Sequence, residues 1–227
     1  MELTKTLCAC LLALLVAAAS PAQQPAAPAL EPQPAGKVVP LPKPDTEGGR
    51  PLMQALRERR TTRSFDAARP LSAQVLSNLL WAACGVNRPE SGKRTAPTAV
   101  NWQEIDVYVA KSDGVFLFDA KAHALRQVLT EDIRPAIGVQ PFVASAPVTL
   151  IYVADFARMG RASQKDREFY SATDTGHISQ NVYLFCASEG LNTVVIGMVK
   201  RDGVAAKLGL RPDQRVILAQ PVGYAGG

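Results

Sequence analysis

The run Val148-Thr149-Leu150-Ile151-Tyr152-Val153, entered through Pro147, limits the fold more than any other part of the chain. Its β-branched and aromatic side chains come almost without polar alternation, which suits a central strand covered on both faces. Strand signals at 105–110 and 115–118 flank Lys111-Ser112-Asp113-Gly114, a turn that joins two strands directly. Helical patterns are interleaved with these strands, yet a direct hairpin is foreign to a doubly wound parallel sheet. The pattern predicts an α+β sandwich with a mixed, mainly antiparallel central sheet flanked by helices.

Pro51 at a first helical position, with Leu52, Met53 and Leu56 at one-turn spacing, predicts a helix ending near Arg60. Ser72 caps a second helix, whose Val75, Leu76, Leu79, Leu80 and Ala83 form one apolar stripe and whose stop is Gly85. Segment 121–129 reads as a helix with Leu125, Val128 and Leu129 on one side. Charges dominate 158–171, a solvated helix or loop. A helical pattern returns over 175–189, with His177 near its start, Ile178, Val182 and Phe185 on one face, and Gly190 to end it. Residues 193–196 and 215–219 give the last strands, with a short helix at 204–208 between them.

The first 22 residues read as a signal peptide. Lys5 precedes an apolar run over 7–19, and Ser20-Pro21-Ala22 offers small residues for cleavage, so the chain is expected to be exported to a periplasm or secreted. The run is too short for a comfortable permanent span, so no stable membrane anchor is expected after processing. From Gln23 to about Gly49 the chain is rich in proline and alanine and has no apolar period. It reads as a disordered tether, with the folded domain at 50–227. The formal charge of +5 is modest and scattered, which argues against nucleic acid as a partner. Cys84 and Cys186, left after processing, both sit in apolar helical contexts and are expected as two separately buried thiols. With His123 and His177 as the only histidines and no Cys-x-x-Cys, no metal site is expected.

Two stretches carry chemistry. Arg57-Glu58-Arg59-Arg60-Thr61-Thr62-Arg63-Ser64 gathers guanidinium forks and hydroxyls where the first helix runs out. Such groups suit a phosphorylated ligand, and arginines in a last helical turn also simply complement the helix dipole in water. Thr95-Ala96-Pro97-Thr98-Ala99-Val100-Asn101-Trp102-Gln103 then puts hydroxyl, amide and proline groups in a short loop ahead of a strand. With Gly176-His177-Ile178-Ser179-Gln180-Asn181 and Gly190-Leu191-Asn192-Thr193-Val194-Val195-Ile196-Gly197, these segments resemble the nitroreductase family of FMN-dependent oxidoreductases over about residues 52–224. They are most similar to its SagB/ThcOx-type dehydrogenase subgroup.

The resemblance implies a nitroreductase-like fold and a homodimer that holds FMN noncovalently at its interface and moves two electrons to or from a small organic substrate. NAD(P)H is a transient donor in that family. It implies that Arg59, Arg60 and Thr61 meet the flavin phosphate and ribityl chain, and that Arg63 lies near the pyrimidine edge of the ring. Pro97, Thr98, Ala99 and Asn101 would touch the flavin partly from the other subunit, and Ile196 and Gly197 would face the ring near N5. No residue is singled out as catalytic. Basic C-terminal residues that grip the phosphate in many relatives are missing here, and Asp166 stands where azoline-oxidising members carry a tyrosine beside a lysine matched by Lys165. His177 reads as structural more readily than catalytic. The alternative reading is a dimer that keeps the ligand cavity with reduced turnover.

Overall fold

The computed structural model describes residues 36–226. They form β1 (Val38–Pro40), α1 (Leu52–Glu58), α2 (Ala73–Cys84), β2 (Val86–Arg88), β3 (Lys93–Arg94), β4 (Ile105–Lys111), β5 (Gly114–Asp119) and β6 (Ala124–Leu129), then α3 (Arg134–Ile137), α4 (Phe142–Ser145), β7 (Val148–Asp155), α5 (Gln164–Glu189), β8 (Asn192–Thr193), α6 (Arg201–Leu208) and β9 (Gln214–Gly223). Seven strands make one sheet in the order β1-β6-β5-β4-β7-β9-β8, and every ladder among the described residues is antiparallel. The expected α+β architecture is therefore present.

The apolar run is β7, and all of its residues are buried. Its side chains alternate between two cores. Val148, Leu150, Tyr152 and Ala154 join Leu79, Leu80, Ile178 and Val182 under α2 and α5. Ile151 and Val153 join Ile133, Ile137, Val204 and Leu208 under α3 and α6. Period-two alternation into two apolar layers leaves no polar side to show in the sequence. The Tyr152 hydroxyl is buried but donates to Gln220 Oε1 at 2.6 Å. Cys84 and Cys186 are free and buried, and burial pushes the Cys84 thiol up to about 11. Neither thiol is poised for reaction at neutral pH, since burial raises Cys186 as well.

Helix ends follow local chemistry. Ser72 Oγ accepts from the Val75 amide at 3.2 Å, as expected of a cap. Gly85 ends α2 for a different reason from the usual left-handed turn: its φ is −67°, and a Cβ there would lie 2.7 Å from Trp81 Cα. α5 begins eleven residues before the expected start at 175. Ser163 opens it, accepting from the Asp166 amide at 3.1 Å and donating to Asp166 Oδ2 at 2.6 Å. Buried Ser171, Asp174, Thr175, Ile178, Ser179, Val182 and Cys186 then keep one face inward. Half of that face is polar, which hid it from an apolar-period reading.

Two expectations are corrected. Segment 121–129 is a turn followed by β6 rather than a helix, because left-handed His123 (φ 48°) folds the chain back and both strand edges find partners, β5 on one side and β1 on the other. Apolar spacing at 125, 128 and 129 fits either structure, and long-range pairing decides. Residues 36–49, expected within a tether, are part of the fold. β1 completes the sheet, and the chain beyond it straps α2, where buried Ser77 donates to the Pro42 carbonyl at 2.6 Å and the Asp45 amide donates to Asn78 Oδ1 at 2.9 Å. The Arg50 amide donates to Ser188 Oγ on α5 at 2.7 Å. The segment expected to be a signal peptide, residues 1–22, and residues 23–35 of the expected tether lie outside the described residues.

Ser77 also meets His123 Nε2 at 2.7 Å, so one hydroxyl ties α2 to the strap and to the β5–β6 turn. Ser77→Ala removes the hydroxyl's bonds to the Pro42 carbonyl and to the imidazole. It should lower stability by about 1–3 kcal/mol, read as a reduced urea midpoint with an unchanged slope.

Candidate functional site

α1 stops at Glu58, and the Arg59 amide still donates back to Ala55 O at 2.8 Å before the chain extends. The extended stretch is laid along β8: the Thr62 amide donates to Thr193 O at 3.0 Å, the Thr193 amide to Thr62 Oγ1 at 3.0 Å, and Asn192 Nδ2 to Ser64 O at 2.7 Å. The stretch borders a cavity of about 520 Å³ lined by Arg57, Arg59, Arg60, Thr62, Tyr183 and Asn192 among others. Its two outer arginines are engaged. Arg50 pairs with Glu58, whose carboxyl is held below the usual range by the Gln54 amide and by Arg50, and Arg57 lies 3.9 Å from the same carboxylate. Among the described residues Arg59, Arg60 and Arg63 have no carboxylate within ion-pair distance. Arg63 is exposed but does not line this cavity.

Tyr183, which falls in a segment that carries the family resemblance but was given no role from the sequence, is the joint of the site. The Arg59 guanidinium lies 5.2 Å from the centre of its ring. Its hydroxyl accepts from the Val195 amide at 2.9 Å and stands 3.2 Å from Thr61 Oγ1. Thus the arginine stretch and the 195–197 segment are brought together through one side chain on α5. Ile196 is buried and paired with Ala219 across the sheet, so its side chain belongs to the core, whereas Gly197 is exposed beside it.

The loop of Pro97, Thr98, Ala99 and Asn101 sits elsewhere on α5. The Ala99 amide donates to Asp174 Oδ2 at 2.9 Å, and the Thr98 hydroxyl donates to Glu104 Oε2 at 3.0 Å. Val100, Asn101 and Gln103 hold φ of 51°, 58° and 49°. Left-handed backbone costs non-glycine residues roughly 1–2 kcal/mol each, most clearly for a β-branched valine. Val100 is 82% exposed and Asn101 is exposed too, so the loop is bent outward and held from beneath. Asp174 and Tyr183 are nine residues apart, about 14 Å along a helix. A single chain therefore does not bring this loop into the arginine cavity.

His177 lies within α5 rather than at its start, half-exposed, with Nδ1 3.6 Å from Asp174 Oδ1. Asp166 is occupied in capping α5. At the far end of the central strands Asp106 and Asp155 are held by Arg158 and Arg211, which closes that cluster as a structural ion network. The C-terminal segment folds back on the arginine stretch: the Asp66 amide donates to Tyr224 O at 3.0 Å, the Ser64 hydroxyl to Gly226 O at 3.2 Å, and Arg69 lies 3.5 Å over the Tyr224 ring. Tyr183→Phe should unlink the two sides of the cavity and cost about 1 kcal/mol, measured by chemical denaturation, with the arginine side chains losing their fixed approach.

The family model described as the nitroreductase family matches residues 56–224. A protein of Methanocaldococcus jannaschii named as a nitroreductase is 32% identical over 183 residues, 76% of this chain and 90% of that one. The crystal structure of a protein from Ralstonia eutropha JMP134, named in the same way, superposes with a TM-score of 0.81 at 42% identity, covering 86% of this chain and 92% of its own. The NADPH:FMN oxidoreductase of Vibrio harveyi, solved with NAD+, shares the fold at a TM-score of 0.58 and 20% identity, over 78% of this chain and 69% of that one. A chain matched over most of its length by the family model, and by relatives of about its own extent, belongs to the nitroreductase family of oxidoreductase enzymes.

Proposed function

We propose that this enzyme is an FMN-dependent oxidoreductase of the SagB/ThcOx-like branch that acts as a homodimer on a small organic substrate. The observation that carries the reading is the set of unpaired guanidinium groups at a cavity of about 520 Å³, a size within the usual range for cofactor sites. Arg59 and Arg60 line this cavity with no carboxylate within ion-pair distance, whereas Arg50 and Arg57 beside them share Glu58. Arg59 and Arg60 would hold the phosphate of the cofactor, and the stacking of Arg59 on Tyr183 limits the rotamer freedom lost on binding. Bound FMN would supply a two-electron carrier able to accept from NAD(P)H or another donor and to pass the pair onward. The protein's own share is binding, orientation and fixed positive charge.

Two observations support the homodimer. Leu52, Met53 and Leu56 are 63%, 75% and 44% exposed, although their spacing is that of a face to be covered. The 97–101 loop is braced but lies outside the cavity of its own chain, as a part serving a second copy would. Azoline oxidation is not part of the proposal, since Asp166 is committed to the helix cap. Export to a periplasm or secretion remains the reading of the first 22 residues. An N-terminus near residue 23 in protein recovered outside the cytoplasm would support it, and retention of residue 1 there would overturn it.

Protein reconstituted with FMN should be yellow and bleach when a two-electron donor is added. Charge-assisted hydrogen bonds contribute about 1.5–3 kcal/mol each, so Arg59→Ala should weaken FMN binding roughly 10- to 100-fold with little change in stability. Colourless protein, or unchanged affinity in the variant, would refute the site assignment.

A further inference from the structure

Beneath the outward-bent loop two carboxyl side chains are buried side by side, Glu104 at 0% and Asp174 at 2% exposure. Both line one small cavity with Pro97 and Thr98. Neither has a guanidinium within ion-pair distance, unlike Asp106 and Asp155 at the same end of the sheet. Each holds the loop: Glu104 Oε2 accepts from Thr98 Oγ1, which in turn accepts from the Gln103 amide at 3.1 Å, and Asp174 Oδ2 accepts from the Ala99 amide. Glu104 Oε1 is buried and meets no donor.

We infer that Glu104 and Asp174 are positioning residues that share one proton, and that this proton clasps the 97–103 loop to α5. A proton on the orphaned oxygen turns it into a donor toward the neighbouring carboxylate and removes a like-charge contact in a dry site. When the proton leaves for solvent, two anions face each other under a loop already carrying left-handed residues, and the clasp opens. Burial first, and the charge of Asp174 after it, push Glu104 above the usual carboxylate range. Other charged and titratable groups lie around the pair, and Arg94 lines the same cavity without coming within ion-pair distance of either carboxylate. His177 on α5 is 3.6 Å from Asp174, the Arg94 Nε on β3 is buried without an acceptor, Cys84 on α2 stays a neutral thiol, and Asp106 is committed to Arg158. A folded-state acid that holds its proton more tightly than the unfolded chain stabilises most at low pH and loses that stability as pH rises toward its folded value.

The link from this clasp to catalysis rests on the reading in which the loop walls the flavin site, so the test has two separable arms. In full-length protein carrying Trp81→Phe, half-buried Trp102, edge-on to Tyr170 at 5.7 Å, reports the loop. Its emission should change in a one-proton transition above the usual carboxylate range. Glu104→Gln should abolish the transition and keep the low-pH spectrum throughout, Asp174→Asn should move it to lower pH, and His177→Gln should leave it in place. The infrared carbonyl band of a protonated carboxyl should be present below the midpoint and absent in Glu104→Gln. An unchanged midpoint in Glu104→Gln, a midpoint that follows His177, or no transition overturns the inference. FMN affinity should fall by up to about tenfold per pH unit above the midpoint and stay flat in Glu104→Gln. If Trp102 behaves as stated while FMN binds without pH dependence or not at all, the clasp stands and the flavin role of the loop fails.

Discussion

The inward face of α5 is the constraint on which the rest depends. Its buried residues form a single stripe from Ser171 to Cys186 within a helix of 26 residues, and each component of the candidate site is fastened to a different level of the helix. The 97–101 loop is tied at Asp174, the arginine stretch and the 195–197 segment at Tyr183, and the N-terminal strap at Ser188. This helix packs against α2 and against the sheet, so distances between these attachments follow the helical rise rather than loops. The site inherits the rigidity of the core.

Parts of this were legible in the residues. β7 announced itself because both its faces are apolar, and α2 because its stripe is apolar and its cap a serine. The turn at 111–114 excluded a purely parallel sheet before any topology was known. Other parts were illegible for physical reasons. α5 buries serines, threonines and an aspartate, so its period cannot be seen in apolar residues alone, and its first eleven residues read as solvated. β6 shares its apolar spacing with a helix, and only partners some distance along the chain choose between the two. β1 sits in a proline- and alanine-rich context whose composition argues against any structure, yet three residues of it suffice to pair with a waiting edge.

The candidate site was half legible. Clustered arginines and a hydroxyl-rich loop are composition-level signals, and the family resemblance gave them roles. Tyr183, Glu104 and Asp174 gave no such signal, because a lone tyrosine in an apolar helix and single carboxylates beside a strand or within a helix are commonplace. What marks them is geometry: a hydroxyl shared between two segments, and two buried carboxyls lining one cavity with no guanidinium within ion-pair distance. The contrast among the arginines is of the same kind. Counting them in the sequence cannot separate those spent on Asp106, Asp132 and Asp155 from those left free at the cavity.

The three residues of β1 have a consequence for the sheet as a whole. Its opposite edge, β8, is only two residues long and offers little to another molecule, but β6 is six residues long and would present an open row of amides and carbonyls if β1 were removed. Open rows of that kind recruit strands from other chains. A protein begun at residue 50, where composition alone would place the domain boundary, would lose solubility through edge-to-edge association before it lost its cavity.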